Sequence, residues 1–172
     1  MQLKQVLLIN GTYGVGKTTV ANLIVKSEYQ EFIMMDPDEY YCELATKGLL
    51  PFIGWPMQAS KIFLTYFKNK LDFSLKENNV VIPVTISTEI CKTELYDYLN
   101  DTTELIHVIL FADDEVVIKR INYDIGRSKD FSKENLHNNL LFMKKYFLNA
   151  NWIDTTTKSV EEVANDIIRL LP

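Results

Sequence analysis

Arginine, histidine and cysteine are all scarce in this chain. Only Arg120, Arg127 and Arg169 carry guanidinium groups among 172 residues, so forked anion contacts are available at few places. Cys42 and Cys91 form no CxxC pair, and His107 and His137 stand equally alone. These spacings exclude a zinc site and a disulfide framework, and the cysteines read as buried or partly buried reduced thiols. A basic surplus is missing too, with 18 Lys and Arg against 23 Asp and Glu and a net charge of −5. That balance excludes a general nucleic-acid binder, which needs a basic face. Any phosphate must therefore be held locally, by a few placed donors. No apolar run is long enough to span a bilayer. Met1 to Gln5 leads into an apolar strand without the hydrophobic core of a signal peptide, so the chain reads as cytoplasmic. No repeat, linker or low-complexity stretch divides it. Its 47% hydrophobic and 24% charged residues are globular in balance, and the length suits one domain over residues 1–172.

Strand-like and helix-like stretches alternate along the chain. Val6-Leu7-Leu8-Ile9 is a short apolar run ended by glycine, the pattern of a strand buried on both faces. Phe32 to Met35, Val80 to Ile86, Leu105 to Phe111 and the weaker Trp152-Ile153 give four further strands. Residues 17–27 form a helix with Val20, Leu23 and Ile24 on one face. Another helix starts at the acidic turn Asp113-Asp114-Glu115 and carries Val116, Val117 and Ile121. Leu136, Leu140, Met143 and Phe147 stripe a third. Val160, Val163, Ala164, Ile167 and Ile168 stripe the last, opened by a Ser159–Glu162 capping box. Residues 37–78 form a helical insertion with Gly54-Trp55-Pro56 and an aromatic stripe, Phe63, Tyr66, Phe67 and Phe73, read as core. His107 falls mid-strand and reads as packed or paired in the core. This alternation predicts an α/β fold, a doubly wound parallel five-stranded sheet with helices on both faces; the strand order expected for it is 2-3-1-4-5.

The most specific signal is Gly11-Thr12-Tyr13-Gly14-Val15-Gly16-Lys17-Thr18, which fits G-x-x-x-x-G-K-[ST] at every fixed position. It follows a buried strand and opens a helix, as that pattern requires. Glycines let successive N–H groups point inward at an anion, and the helix N-terminus adds partial positive charge. Four fixed positions arise by accident in fewer than about one chain in a hundred. ATP is expected on Gly11 through Thr19, with Lys17 on the β- and γ-phosphates and the Thr18 hydroxyl on Mg²⁺.

Acids and arginines narrow the chemistry. The third strand ends without an acid. Asp36-Pro37-Asp38 instead follows the second strand, where strand ends converge on the site. Asp36 suits Mg²⁺ and Asp38 the acceptor hydroxyl, although Asp36 before Pro37 also reads as a helix N-cap. Arg120 and Arg127 fall near a segment, about residues 122–133, read as a lid whose arginines stabilise transferring charge. The plainer reading of both is a solvated cation at a helix end, and Arg169 reads as solvated.

With these residues in place, the chain resembles the tunicamycin-resistance ATP-binding proteins, a branch of the small P-loop kinases. The resemblance rests on VLLINGTYGVGKTT, on Met35-Asp36-Pro37-Asp38-Glu39, on Val81-Ile82-Pro83-Val84-Thr85-Ile86, and on His107-Val108-Ile109-Leu110 through Lys119-Arg120. Asp154-Thr155-Thr156 before the last helix is similar both to that family and to chloramphenicol phosphotransferases; the DxD is similar to that of shikimate kinase. The resemblance implies ATP binding and phosphoryl transfer to a small hydroxylated molecule, an antibiotic among them. Lys17, Asp36, Asp38, Arg120 and Arg127 would be the catalytic set. Two other readings stay open: a module that binds ATP and sequesters a drug or partner without transfer, and a nucleoside or nucleotide kinase.

Overall fold

The structure, a computed structural model, describes residues 3–27, 32–51, 60–123 and 133–172. Five parallel strands, β1 (Gln5–Gly11), β2 (Phe32–Met34), β3 (Asn79–Pro83), β4 (Glu104–Phe111) and β5 (Asn151–Asp154), lie in the order β2-β3-β1-β4-β5. β1 is central, with Val6 opposite Val80 on one side and Leu105 on the other. The expected fold class and strand order are both found.

Side-chain alternation along the strands divides the core into two layers. Val6, Leu8, Val80, Ile82 and Ile109 face one way. They meet α2 (Pro37–Thr46), α3 (Lys61–Ser74) and a crossover made of α4 (Glu89–Cys91), a π-helical turn (Lys92–Asp97) and α5 (Tyr98–Thr102). Met143 of α7 (Leu136–Tyr146) and Phe147 complete that layer. Leu7, Ile9, Val81, Val108 and Leu110 face the other way. They are covered by α1 (Lys17–Lys26), α6 (Asp114–Tyr123) and α8 (Val160–Ile168). The capping box of Ser159 and Glu162 is present at the start of α8. No helix of the described residues is long and apolar enough to cross a membrane.

Several expectations need correction. β3 stops at Pro83 rather than Ile86: Val84 N–H still donates to the Ile9 carbonyl, but beyond it Thr85 Oγ1 donates to the Gly11 carbonyl and Ile86 N–H to Asn10 Oδ1, so side chains replace the backbone ladder. The crossover over residues 89–102 corresponds to no element read from the sequence. Its apolar positions, Cys91, Leu95 and Leu99, recur every fourth residue and are buried, across a π-helical turn over Lys92–Asp97. Cys42 is exposed, whereas Cys91 is buried. In α3, Phe63, Phe67 and Leu71 recur every fourth residue and are buried. Phe73 lies about 200° round the helix from Leu71 and is 72% exposed, so it is not core. Gly54-Trp55-Pro56 and most of the expected lid lie outside the described residues.

The two α3 phenylalanines test this face assignment. Phe67→Ala should cost about 3–5 kcal/mol through cavity formation. Phe73→Ala should stay within about 0.5 kcal/mol of wild type. Urea unfolding of both variants gives the comparison, and equal losses would contradict it.

Candidate functional site

β1 delivers the chain to Gly11, where no side chain fits: a Cβ there would lie 2.5 Å from the carbonyl oxygen of Leu110. The loop then passes Gly14 at φ +78° and Gly16 at φ +97°, both left-handed. At Gly14 a Cβ would stand 2.9 Å from Ile121 of α6, whereas at Gly16 nothing lies within 4 Å. Gly16 is the N-cap of α1 and offers no side-chain cap, and the first turn of α1 contains no acid. The partial positive charge of this helix start is therefore answered by no side-chain cap and no first-turn acid, which suits an anion. The helices α2, α6 and α8, by contrast, all carry acids in their first turns.

A pocket of about 320 Å³ opens on this turn, lined by Gly14 through Val20, Arg120, Thr155, Lys158, Ser159, Val160 and Val163. Lys17 Nζ donates to the Thr12 carbonyl at 2.8 Å and lies 5.9 Å from the Tyr13 ring centroid. Thr18 Oγ1 donates to Asp36 Oδ2 at 3.4 Å, while Asp36 Oδ1 accepts from the Asp38 N–H at 3.0 Å. Asp36 is thus both the N-cap of α2 and the neighbour of Thr18. Burial raises its carboxyl pKa above the usual value, and repulsion from Asp38 and Glu39 adds to this against the bonds from Asp38 N–H and Thr18. Asp38 itself is exposed.

On the other wall, Arg120 donates through Nη1 to Thr155 Oγ1 at 3.0 Å and through Nη2 to the Thr155 carbonyl at 2.8 Å. The Thr155 turn is itself braced. Thr155 N–H donates to the Phe111 carbonyl at 2.8 Å, and Thr156 Oγ1 accepts from the Asp113 N–H at 3.0 Å. Asp154 accepts from both the Thr156 N–H and its hydroxyl, which hold the Asp154 carboxyl below its usual pKa. Arg120 is therefore a placed, half-buried group lining the pocket, not a solvated helix-end charge. Arg127 lies outside the described residues. Arg169 is a surface cation beside Asp166, with its side chain 78% exposed. His107 is buried against Tyr96 and Phe147.

Sequence reading missed the second wall of the pocket. In the sequence Thr155 enters only through a family resemblance, Val160 and Val163 only as the apolar stripe of the last helix, and Lys158 not at all. Parallel topology was the available signal: the loop after β5 must open at the same sheet edge as the loop after β1.

No protein-family model matches the chain. In sequence it is similar to a Thermococcus gammatolerans protein provisionally named adenylate kinase, 29% identical over 171 residues that span 96% of this chain and 85% of that one. In structure it is similar to the Deinococcus radiodurans tunicamycin resistance protein, with TM-score 0.71 at 20% identity over 97% of this chain and 95% of that one. It is also similar to Mycobacterium tuberculosis APS kinase solved with AMPPNP and APS, with TM-score 0.66 at 12% identity over 99% and 98% of the two chains. The chain has the small P-loop kinase fold. Within that fold, the glycine turn, Lys17 and Thr18 sit at the carboxyl edge of β1, and Asp36 follows the carboxyl end of β2.

Two of the three loop glycines, Gly14 and Gly16, separate packing from anion access. Gly14→Ala should lower stability by about 2–3 kcal/mol, from left-handed strain together with the clash on Ile121. Gly16→Ala meets no neighbour and should cost only about 1–2 kcal/mol of strain, yet abolish binding of tripolyphosphate. Thermal melts and calorimetry read the two effects. A Gly14→Ala protein as stable as wild type would contradict the packing of the loop on α6.

Proposed function

We propose that the chain is an ATP-dependent kinase that transfers the γ-phosphoryl group to a hydroxyl of a small molecule. The observation that carries this reading is the contact of Thr18 with Asp36 beside the uncapped N-terminus of α1, at 3.4 Å. It joins a phosphate cradle to a carboxylate on the acceptor side of the sheet. ATP would be held by Gly11, Thr12, Tyr13, Gly14, Val15, Gly16, Lys17, Thr18 and Thr19, with its remainder toward the wall of Arg120 and Thr155.

Mg²⁺ suits the donors present. Thr18 and Asp36 offer two hard oxygens, and a cation would relieve the cost of burying the Asp36 carboxylate. Among the described residues, no cluster of three or more His, Cys, Asp or Glu forms an all-protein cage. That fits a cation shared with phosphate oxygens and water. Bound there, Mg²⁺ would neutralise charge on the β- and γ-phosphate oxygens.

The chain's own groups supply the remaining parts. Lys17 orients and neutralises the terminal phosphates. Asp38, exposed at the start of α2, orients the acceptor hydroxyl and accepts its proton late. Arg120, its fork held on Thr155, stabilises negative charge on the transferred group. Arg127 has the same role from its sequence position. Positioning and electrostatics of this kind suffice for a loose phosphoryl-transfer transition state. A second reading, a nucleotide as acceptor, is favoured by the likeness to the Thermococcus protein named an adenylate kinase. The likeness to a tunicamycin resistance protein favours a hydroxylated antibiotic.

The test is mass spectrometry of a panel of nucleosides, nucleoside monophosphates and hydroxylated antibiotics incubated with MgATP. One acceptor class should gain a single phosphoryl group. Lys17→Ala should slow that transfer by about 10²–10³-fold or more, and Asp38→Asn should remove transfer while sparing ATP binding. ATP binding without a phosphorylated product from any class would favour a sequestering module instead.

A further inference from the structure

A polar network that the proposed reaction does not use lies beneath the phosphate loop. Asn10, one residue before Gly11, is fully buried. Its Oδ1 accepts from Gly11 N–H at 2.8 Å and from Ile86 N–H at 3.0 Å. Two backbone donors on one atom settle which way round the amide lies. The NH2 group therefore faces His107 Nε2, at 3.4 Å. Since an amide nitrogen only donates, Nε2 accepts, and the proton of the neutral ring sits on Nδ1. Thr85 adds a third tie, its hydroxyl donating to the Gly11 carbonyl at 3.0 Å. A single side chain thus fastens the start of the phosphate loop to the segment after β3 and to the middle of β4.

We propose that Asn10 is a positioning residue for the phosphate loop, and that neutral His107 is the acceptor that keeps its amide in register. A second proton on His107 would set a donor against the Asn10 NH2 group. The amide would then have to turn over and release Gly11 and Ile86, leaving two buried N–H groups unpaired. The surroundings favour the neutral ring. Tyr96 from the π-helical turn lies 5.0 Å away and Phe147 after α7 lies 4.9 Å away, centroid to centroid. Tyr96 is the titratable group against the ring, and burial pushes its own pKa up. Lys92 and Asp97, the charged neighbours on that turn, pair with each other at 2.7 Å. The buried face of α7, Leu136, Asn139 and Met143, is uncharged. From β5, Asn151 Nδ2 donates to the His107 main-chain carbonyl at 3.2 Å. Burial accordingly lowers the His107 pKa to about 4.

The experiment follows amide protection of Gly11 and Ile86, the Cε1–H signal of His107, and MgATP affinity, all against pH. Only the affinity measurement rests on the nucleotide reading; wild-type protein that binds no MgATP would sink that reading and leave protection to decide this one. In wild type, protection should fall as pH drops through about 4. Asn10→Asp keeps both backbone bonds and offers His107 a carboxylate. It should raise the ring's midpoint by more than about one unit and remove the acid loss of protection. His107→Leu leaves the NH2 group without an acceptor and should lower protection and MgATP affinity about tenfold. His107→Gln, which restores an acceptor, should recover both. Wild-type protection and affinity in His107→Leu would overturn the proposal. So would an unmoved His107 midpoint in Asn10→Asp. If His107→Leu does not fold, Asn10→Asp and His107→Gln still decide it.

Discussion

At the end of β1 the backbone runs so close to β4 that a Cβ on Gly11 would sit 2.5 Å from the Leu110 oxygen. This approach sets the height from which the phosphate loop rises, and the remaining parts of the site are arranged around it. β1 can hold that position because it is the middle strand, hydrogen-bonded to β3 and β4 and buried on both faces. Parallel strands then bring the loops after β1, β2 and β5 to one edge. Lys17 and Thr18 come from the first, Asp36 from the second and Thr155 from the third. Residues far apart in the chain become neighbours through strand order alone.

For an acidic protein proposed to hold a polyanion, the electrostatic demand would be met by geometry rather than by net charge. α1 starts without an acid and without a side-chain cap, while three other helices begin with carboxylates. One lysine at the same turn and one arginine across the pocket add local positive charge. Arg120 is spared the entropy of a free surface chain by its two bonds to Thr155. The Thr155 turn is in turn braced by Asp154, Thr156 and Asp113. Asp36 sits where these fields meet, buried enough to raise its pKa.

Much of this was legible from the residues, for reasons that are local. The glycine spacing, the capping box at Ser159 and the doubly buried strands are written in short windows, whereas handed crossovers by themselves fit more than one strand order. Asp36 was readable both as a cap and as a site acid, and it is found at the cap and against Thr18. What escaped depends on pairings distant in sequence. Asn10 looks like one more strand residue until Ile86 and His107 are brought beside it. Phe73 looks like core until the helix is turned. The crossover over residues 89–102 is a different case: Cys91, Leu95 and Leu99 recur every fourth residue, so its buried face was legible locally even across the π-helical turn.

The central claim is that the turn from Gly11 to Thr19, with Thr18 against Asp36, is a nucleotide-phosphate site. The most direct measurement is a crystal structure or amide-shift titration with Mg²⁺ and the non-hydrolysable AMPPNP. Phosphates seated on the N–H groups of Gly14 through Thr18, with the base toward Thr155 and Arg120, is the predicted result. Saturating analogue that leaves these amides unshifted, or that binds away from the N-terminus of α1, would contradict it.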